Sequence, residues 1–290
     1  MSTTILHISD SHGGLMSGLI APDTELTYNN NEKRTVLLSS TSQWIWECYN
    51  KLIDTANDFA AGDPVIVYHT AEVCHGSTFP DYLYSSWQNH QEEIAVKSLA
   101  QLRSIKNLAG LRFCYGSGSH DFGQQAATKN VADAVAAWGY PTACVDHGWE
   151  EIDGCMVDWC HPGPRPGAGI DKASPVRMYA IRCTRAYMER GKRTPDILLR
   201  GHVHIPWLDT VRVGFGKAAV DVTISVGAPL TGVNEYGRRY NHIDALTVVG
   251  GALLRVHHGR VVETQAVKFE REDRAKIEGV VAHPFQGQTG

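Results

Sequence analysis

Along the chain, short apolar runs alternate with longer stretches in which apolar residues recur every three or four positions. Thr4–Ser9 (TILHIS) and Pro64–His69 (PVIVYH) are short and mostly apolar, and both read as strands. Between them, Ile45, Cys48, Leu52, Ala56 and Phe59 recur at helical spacing within Ser42–Ala60, which gives a helix one apolar stripe to lay on a sheet. A second helix is predicted over Ser86–Leu108, with Ile94, Leu102, Ile105 and Leu108 near one side, and Leu111–Tyr115 reads as the next strand. Residues 124–138 predict a third helix, Cys155–Cys160 a strand, Ala173–Arg190 a fourth helix and Asp196–Arg200 another strand. This alternation is the rhythm of an α/β protein. Beyond Gly201 the character changes. Val211–Phe215, Ala218–Val226, Ala245–Val256 and Val261–Phe269 are rich in Val, Leu and Thr and are divided by Gly-containing turns, which predicts antiparallel strands. Residues 1–269 read as one domain. Residues 270–290, charged and then rich in Gly and Gln, read as a peripheral tail.

Composition narrows the class. Of 290 residues, 43% are hydrophobic and 20% charged, which is ordinary for a globular chain and gives ample material for a core. A net charge of -4 supplies no overall pull toward nucleic acid or an anionic membrane, so any phosphate binding has to be local. Seven cysteines without a C-x-x-C pair argue for reduced thiols rather than a disulfide framework or a zinc ribbon. The first residues lack the basic and long apolar regions of a signal peptide, and no run approaches the roughly 18 apolar residues of a membrane span. The expected address is cytoplasmic, of a cell or of a phage-infected host, with no membrane partner.

Candidate chemistry gathers where the predicted strands end. Asp10 and His12 follow the first strand, Glu72 the second, His120 the third, His161 the fourth, and His202 with His204 the fifth. In an open α/β sheet, ligands collect at the carboxyl ends of strands, so residues far apart in sequence converge there. Asp-x-His by itself arises by chance after many strands. Gly201-His202-Val203-His204 is more specific, because two imidazoles one residue apart at a strand end rarely serve packing. A carboxylate with several imidazoles suits Mn, Fe, Zn or Ni, and two such ions can clamp a phosphoryl group.

The pieces Asp10-Ser11-His12, Ala71-Glu72-Val73-Cys74-His75-Gly76, Gly118-Ser119-His120-Asp121, His161 and Gly201-His202-Val203-His204 occur in the order of a known signature. Over roughly residues 4–205 the chain resembles the calcineurin-like metallophosphoesterase family, most of all its compact phage and prophage members. The resemblance implies two facing mixed β-sheets flanked by helices, in one domain. It implies hydrolysis of a phosphate mono- or diester by hydroxide held between two divalent ions, Mn foremost, with Fe, Zn or Ni as alternatives. Asp10, His12, Glu72 and His204 would bind one ion. Glu72, His161 and His202, joined by Ser119, would bind the other, and His120 would protonate the leaving group rather than bind metal. The substrate is then a phosphate ester, with nucleotides and nucleic acid among its possible forms.

Two positions depart from the family pattern. Glu72 stands where the family has Asp, so the bridging carboxylate is one methylene longer, and Ser119 stands where the family has Asn. A serine hydroxyl is a weaker ligand than an amide oxygen, which predicts a loose second ion. Arg165, on the Gly/Pro-rich stretch Pro162–Gly169, and Arg177 beyond it are candidates to hold a non-reacting phosphate, with plain solvent-facing arginines as the alternative. His7, His69, His75, His90, His242, His257, His258 and His283 read as packed or surface residues, and Cys74 and Cys160 as buried, inert thiols. Two other readings fit the same residues: a DNA nuclease of the same chemistry, and a non-enzymatic binding protein on a decayed phosphoesterase scaffold.

Overall fold

The computed structural model describes residues 2–70, 72–121, 126–165, 167, 173–216, 219–232 and 246–272. Ala71, His242, His283, most of the predicted tail and part of the Pro162–Gly169 stretch lie outside the described residues. In chain order the elements are β1 (Thr3–Ile8), a small hairpin β2 (Glu25–Thr27) and β3 (Lys33–Thr35), α1 (Ser40–Ala60), β4 (Val65–His69), α2 (Gln88–Leu99), β5 (Leu108–Cys114) and α3 (Ala126–Ala136). There follow β6 (Thr142–Val145), β7 (His147–Ile152), β8 (Cys155–Pro162), α4 (Ser174–Glu189), β9 (Ile197–Gly201), β10 (Trp207–Val213), β11 (Val220–Val226), β12 (Leu246–His257) and β13 (Arg260–Glu272).

Two large mixed sheets form the centre. The first runs β13-β12-β1-β4-β5-β6, with β1, β4, β5 and β6 parallel and β12 and β13 antiparallel. The second runs β10-β11-β9-β8-β7, with β8, β9 and β11 parallel and antiparallel strands at both edges. Strand side chains alternate between faces, and β1 shows what that alternation does. Leu6 and Ile8 join the core beneath α1, α2 and α3, with Leu52, Ile53, Leu99 and Val131, while Ile5 faces the second sheet with Tyr68, Val157, Trp159, Leu199 and Leu254. On the far side α4 places Val176 and Ala180 over Leu198, Val222 and Ile224. The order of layers is helix, sheet, sheet, helix, as the family resemblance implies. No described helix is long and apolar enough to cross a membrane.

The boundaries shift where sheet pairing overrides periodicity. The helix predicted over Ser86–Leu108 ends at Leu99, tightens into a 3-10 turn over Ala100–Ser104, and leaves Leu108 to open β5 opposite Val65. An apolar stripe does not show where a helix stops and a buried strand begins. Helix α1 starts before its stripe because Ser39 caps it, its hydroxyl accepting from the Ser42 amide at 3.1 Å. The last third is only partly antiparallel: β11 lies parallel to β9, and β12 crosses back to β1. β13 continues to Glu272, past the boundary expected at 269. Strands β2, β3, β6 and β7 are short or carry polar residues outward, and their pattern predicts nothing.

A buried ion pair stitches β8 to β9 beneath α4. Arg200 Nη2 lies 2.7 Å from Asp158 Oδ1, both side chains 1% exposed. Tyr187 donates to Asp158 Oδ2 at 2.8 Å, the Arg200 Nε–H donates to the Tyr179 hydroxyl at 2.8 Å, and His147 Nε2 sits 3.0 Å from Asp158 Oδ1. Cys160 lies close enough to His147 and Asp158 to suggest a cation site. The guanidinium already fills that role, since a buried carboxylate needs one compensating charge and has it.

Candidate metal centre

Both sheets present the carboxyl ends of their parallel strands to one place. β1 leads to Asp10 and His12, β4 to Glu72 and His75, β5 to Ser117 and His120, β8 carries His161 one residue before its end, and β9 leads to His202 and His204. The backbone there is unusual. Asp10 (φ 51°), His12 (φ 45°), Glu72 (φ 53°) and His202 (φ 68°) all occupy the left-handed region without being glycine. Such conformations cost on the order of 1–3 kcal/mol each and persist where the surroundings over-determine them, most often at functional sites. The glycine before His202 has a different reason. A Cβ on Gly201 would stand 1.9 Å from the Thr70 carbonyl oxygen, so only glycine lets the end of β9 close on the end of β4.

The donors fall into groups. Ligand-capable atoms of Asp10, His12 and His204 lie within 4.8 Å of one another, and those of Glu72, His161 and His202 do the same. In the first group His12 Nε2 is 3.3 Å from His204 Nε2, and His204 Nε2 is 3.6 Å from Asp10 Oδ1. In the second, His161 Nε2 is 3.0 Å from Glu72 Oε1, and the His161 and His202 rings are 4.7 Å apart. The groups share a wall: the His202 amide donates to both Asp10 carboxylate oxygens at 3.2 Å, and the His12 amide donates to the Glu72 carbonyl at 2.8 Å.

Protonation suits cation binding. Burial disfavours the charged forms of Asp10 and Glu72, yet the His204 ring beside Asp10 and the His161 ring beside Glu72 hold both carboxyls below their usual range. Burial, aided by the neighbouring His75, His204 and His120 rings, pushes His12 well below the usual imidazole range, so it is a neutral imidazole at pH 7. Burial opposes the charge on His161 as well, but the Glu72 carboxylate raises it. A cation would replace that proton.

The buried polar atoms test whether the residues fit metal ions. Glu72 Oε2 and both ring nitrogens of His161 have no hydrogen-bond partner among the described residues, although all are buried. The 3.0 Å approach of His161 to Glu72 lacks hydrogen-bond geometry, as expected of two ligands turned toward a common point. Carboxylate and imidazole in each group match first-row divalent ions. The site residues therefore fit the group that the sequence implies.

Other predicted residues stand differently. Glu72, expected between both ions, groups with His161 and His202; its Oε1 also accepts from the Ser117 amide at 3.1 Å. Ser119 is exposed, and its hydroxyl lies 3.0 Å from that of Ser117. Residues 117–121 form a tight turn, with the His120 and Asp121 amides donating to the Ser117 carbonyl, and this turn carries Ser119 outward. His120 Nδ1 donates to the His75 carbonyl at 2.5 Å, and His120 Nδ1 lies 3.7 Å from Glu72 Oε2. Arg165 is exposed on the stretch after β8, while Arg177 pairs with Asp209 at 2.7 Å on the outer side of α4. Cys74 and Cys160 are buried, and burial raises both thiols, which keeps them inert. His75, Gln91 and Ser117 were not legible as site residues, since no spacing rule marks them. Only the short Glu72–His75 interval hinted at the first.

No protein-family model matches the sequence, and no curated protein does. Among solved structures, an archaeal phosphodiesterase aligns at 11% identity over 92% of this chain and 99% of its own, with a TM-score of 0.40. A phosphatase from Mycoplasma pneumoniae aligns at 9% identity over 94% and 95%, with a TM-score of 0.42. An NAD nucleotidase from Haemophilus influenzae aligns at 9% identity over 94% of this chain, which spans 50% of that longer one, with a TM-score of 0.41.

Proposed function

We propose that the chain is a metal-dependent phosphoesterase that hydrolyses a phosphate mono- or diester. The observation that carries this reading is the pair of carboxylate–imidazole groups set back to back, Asp10–His12–His204 and Glu72–His161–His202, with the His202 amide joining them. Each group would hold one divalent ion, and the second, to which Ser119 offers at best a hydroxyl, would hold the weaker one. Two such ions, when bound, supply positive charge against phosphoryl oxygens and lower the pKa of water.

The chain's own residues do the rest. Asp10 and Glu72 keep the ligand sets anionic, and the left-handed turns aim the ligands before a substrate arrives, so little reorganisation is needed. With its Nδ1–H committed to the His75 carbonyl, His120 in its imidazolium form would give its Nε2 proton to the leaving-group oxygen and be left as the neutral ring. Arg165, exposed just beyond His161, would meet a non-reacting phosphate.

The test uses chain stripped with chelator, then supplied with Mn, Ni, Zn or Mg in turn and assayed on bis-p-nitrophenyl phosphate and p-nitrophenyl phosphate. At least one metal should restore hydrolysis of one ester. Stoichiometric metal binding without hydrolysis of either would replace this reading with that of a binding protein on the same scaffold.

A further inference from the structure

Beside the two ligand groups lies a histidine that neither uses. His75 Nδ1 stands 3.0 Å from His12 Nδ1, with the rings 5.0 Å apart and tilted by 57°. Two ring nitrogens at that distance share one proton, so one must donate and the other accept. His12 Nε2 is turned toward His204 Nε2. If Nε2 is to offer its lone pair to a cation, the ring proton has to sit on Nδ1, and His75 Nδ1 is then the acceptor. The proton of His75 is left on its own Nε2, a buried atom with no hydrogen-bond partner among the described residues.

The same residue controls a second ring through its backbone, since its carbonyl accepts the His120 Nδ1–H. That contact depends on Gly76, at φ +80°, where a Cβ would stand 2.4 Å from the Ser119 carbonyl oxygen and 2.9 Å from His120 Cα. The turn itself is clamped from α2. Gln91 Oε1 accepts from the His75 amide at 3.0 Å and the Gly76 amide at 2.8 Å, while its Nε2 donates to the Gly76 and Ser85 carbonyls, both at 2.8 Å. All four hydrogen-bonding positions of this buried amide are thereby used, three of them on residues 75 and 76. Buried clamps of this kind hold a turn in one geometry.

We infer that His75 is a positioning residue: its Nδ1 fixes the tautomer of His12 so that Nε2 faces the cation, and its carbonyl holds the Nδ1–H of His120 and so orients that ring. The inference rests on the metal-centre reading above. A partner that orients a metal-binding imidazole typically changes metal affinity about 10–100-fold when removed. His75→Phe keeps the ring's bulk without the acceptor, whereas His75→Asn restores an acceptor oxygen at the place of Nδ1.

Calorimetric titration with Mn(II) or Zn(II) compares the unaltered chain, His12→Ala, His75→Phe and His75→Asn. The Phe variant should bind the His12-dependent ion about tenfold or more weakly, and the Asn variant should return close to the unaltered chain. Equal affinity of the Phe variant and the unaltered chain, with His12→Ala impaired, overturns the inference and leaves the metal centre standing. So does an Asn variant as weak as the Phe variant. An unaltered chain that binds no metal, or binds it as well as His12→Ala does, removes the metal-centre reading and this inference with it. Nitrogen NMR of the Zn-loaded unaltered chain needs no variant to fold. It should show His12 protonated at Nδ1 and a scalar coupling across the N–H···N bond to His75 Nδ1. His12 protonated at Nε2 overturns the inference.

Discussion

At the scale of single residues, the proposed function would separate ligands from proton carriers by what each ring nitrogen already does. His204 Nε2 faces Asp10 and His12 and belongs to a ligand group, whereas His120 spends Nδ1 on a backbone carbonyl and has Nε2 left for proton transfer. Removing each should therefore have different consequences. His204→Ala is expected to lose bound metal and activity together. His120→Ala should keep its metal while kcat falls about 10²–10⁴-fold, the usual worth of a general acid. Metal analysis of each variant beside steady-state kinetics distinguishes them, and loss of metal from the His120 variant would show that His120 is a ligand.

Among the elements, the ends of β4 and β9 decide whether the two sheets can deliver ligands to one point. Gly201 packs against the Thr70 carbonyl, and the next residue, His202, lies in the left-handed region. The Arg200–Asp158 pair ties β9 to β8, so the strands carrying His161 and His202 move as one piece. In Gly201→Ala the new methyl has a backbone oxygen in its way, not the far end of a flexible side chain. The strand ends must part. A loss of about 1–3 kcal/mol in stability is expected, as for other overpacked positions, together with weaker metal binding because His202 and His204 are displaced. Urea unfolding and metal titration of the variant measure both; unchanged metal affinity would mean that β9 can shift without moving its ligands.

For the molecule as a whole, acid stability should depend on a histidine between the sheets. His7, on β1, reaches Ser225 on β11 through Nδ1 and Thr70 through Nε2, both at 2.7 Å. Burial lowers its pKa from 6.5 to about 3. Below pH 6.5 the unfolded chain takes up a proton at this position that the folded chain refuses until about pH 3. Its contribution is thus present above pH 6.5 and is lost as the pH falls between those values. The loss amounts to roughly 1.4 kcal/mol per pH unit for one such group. His7→Gln should flatten the dependence of unfolding free energy on pH by about that slope between roughly pH 4.5 and 6. Denaturant unfolding at several pH values checks it, whatever the variant's absolute stability, and an unchanged slope would mean that His7 is protonated in the folded state.

Much of this architecture is present in local pattern. The apolar runs of β1, β4, β8 and β9, the stripe of α1 and the polar residues that follow each strand are properties of neighbouring residues, and covalent order alone puts Asp10, His12, Glu72, His161, His202 and His204 at strand ends. The local pattern carries the α/β rhythm, while the sandwich of two mixed sheets between helices is what the family resemblance implies. What no local pattern contains is how separate loops meet. The division of the candidate ligands into two groups and the ion pair of Arg177 with Asp209 depend on contacts across tens of residues. So does the part played by Gln91, whose amide is an ordinary helix residue until the turn at 75–76 is folded against it. Left-handed turns at Asp10, His12, Glu72 and His202 are equally invisible beforehand, because few non-glycine residues take that conformation and no local pattern marks which of them do.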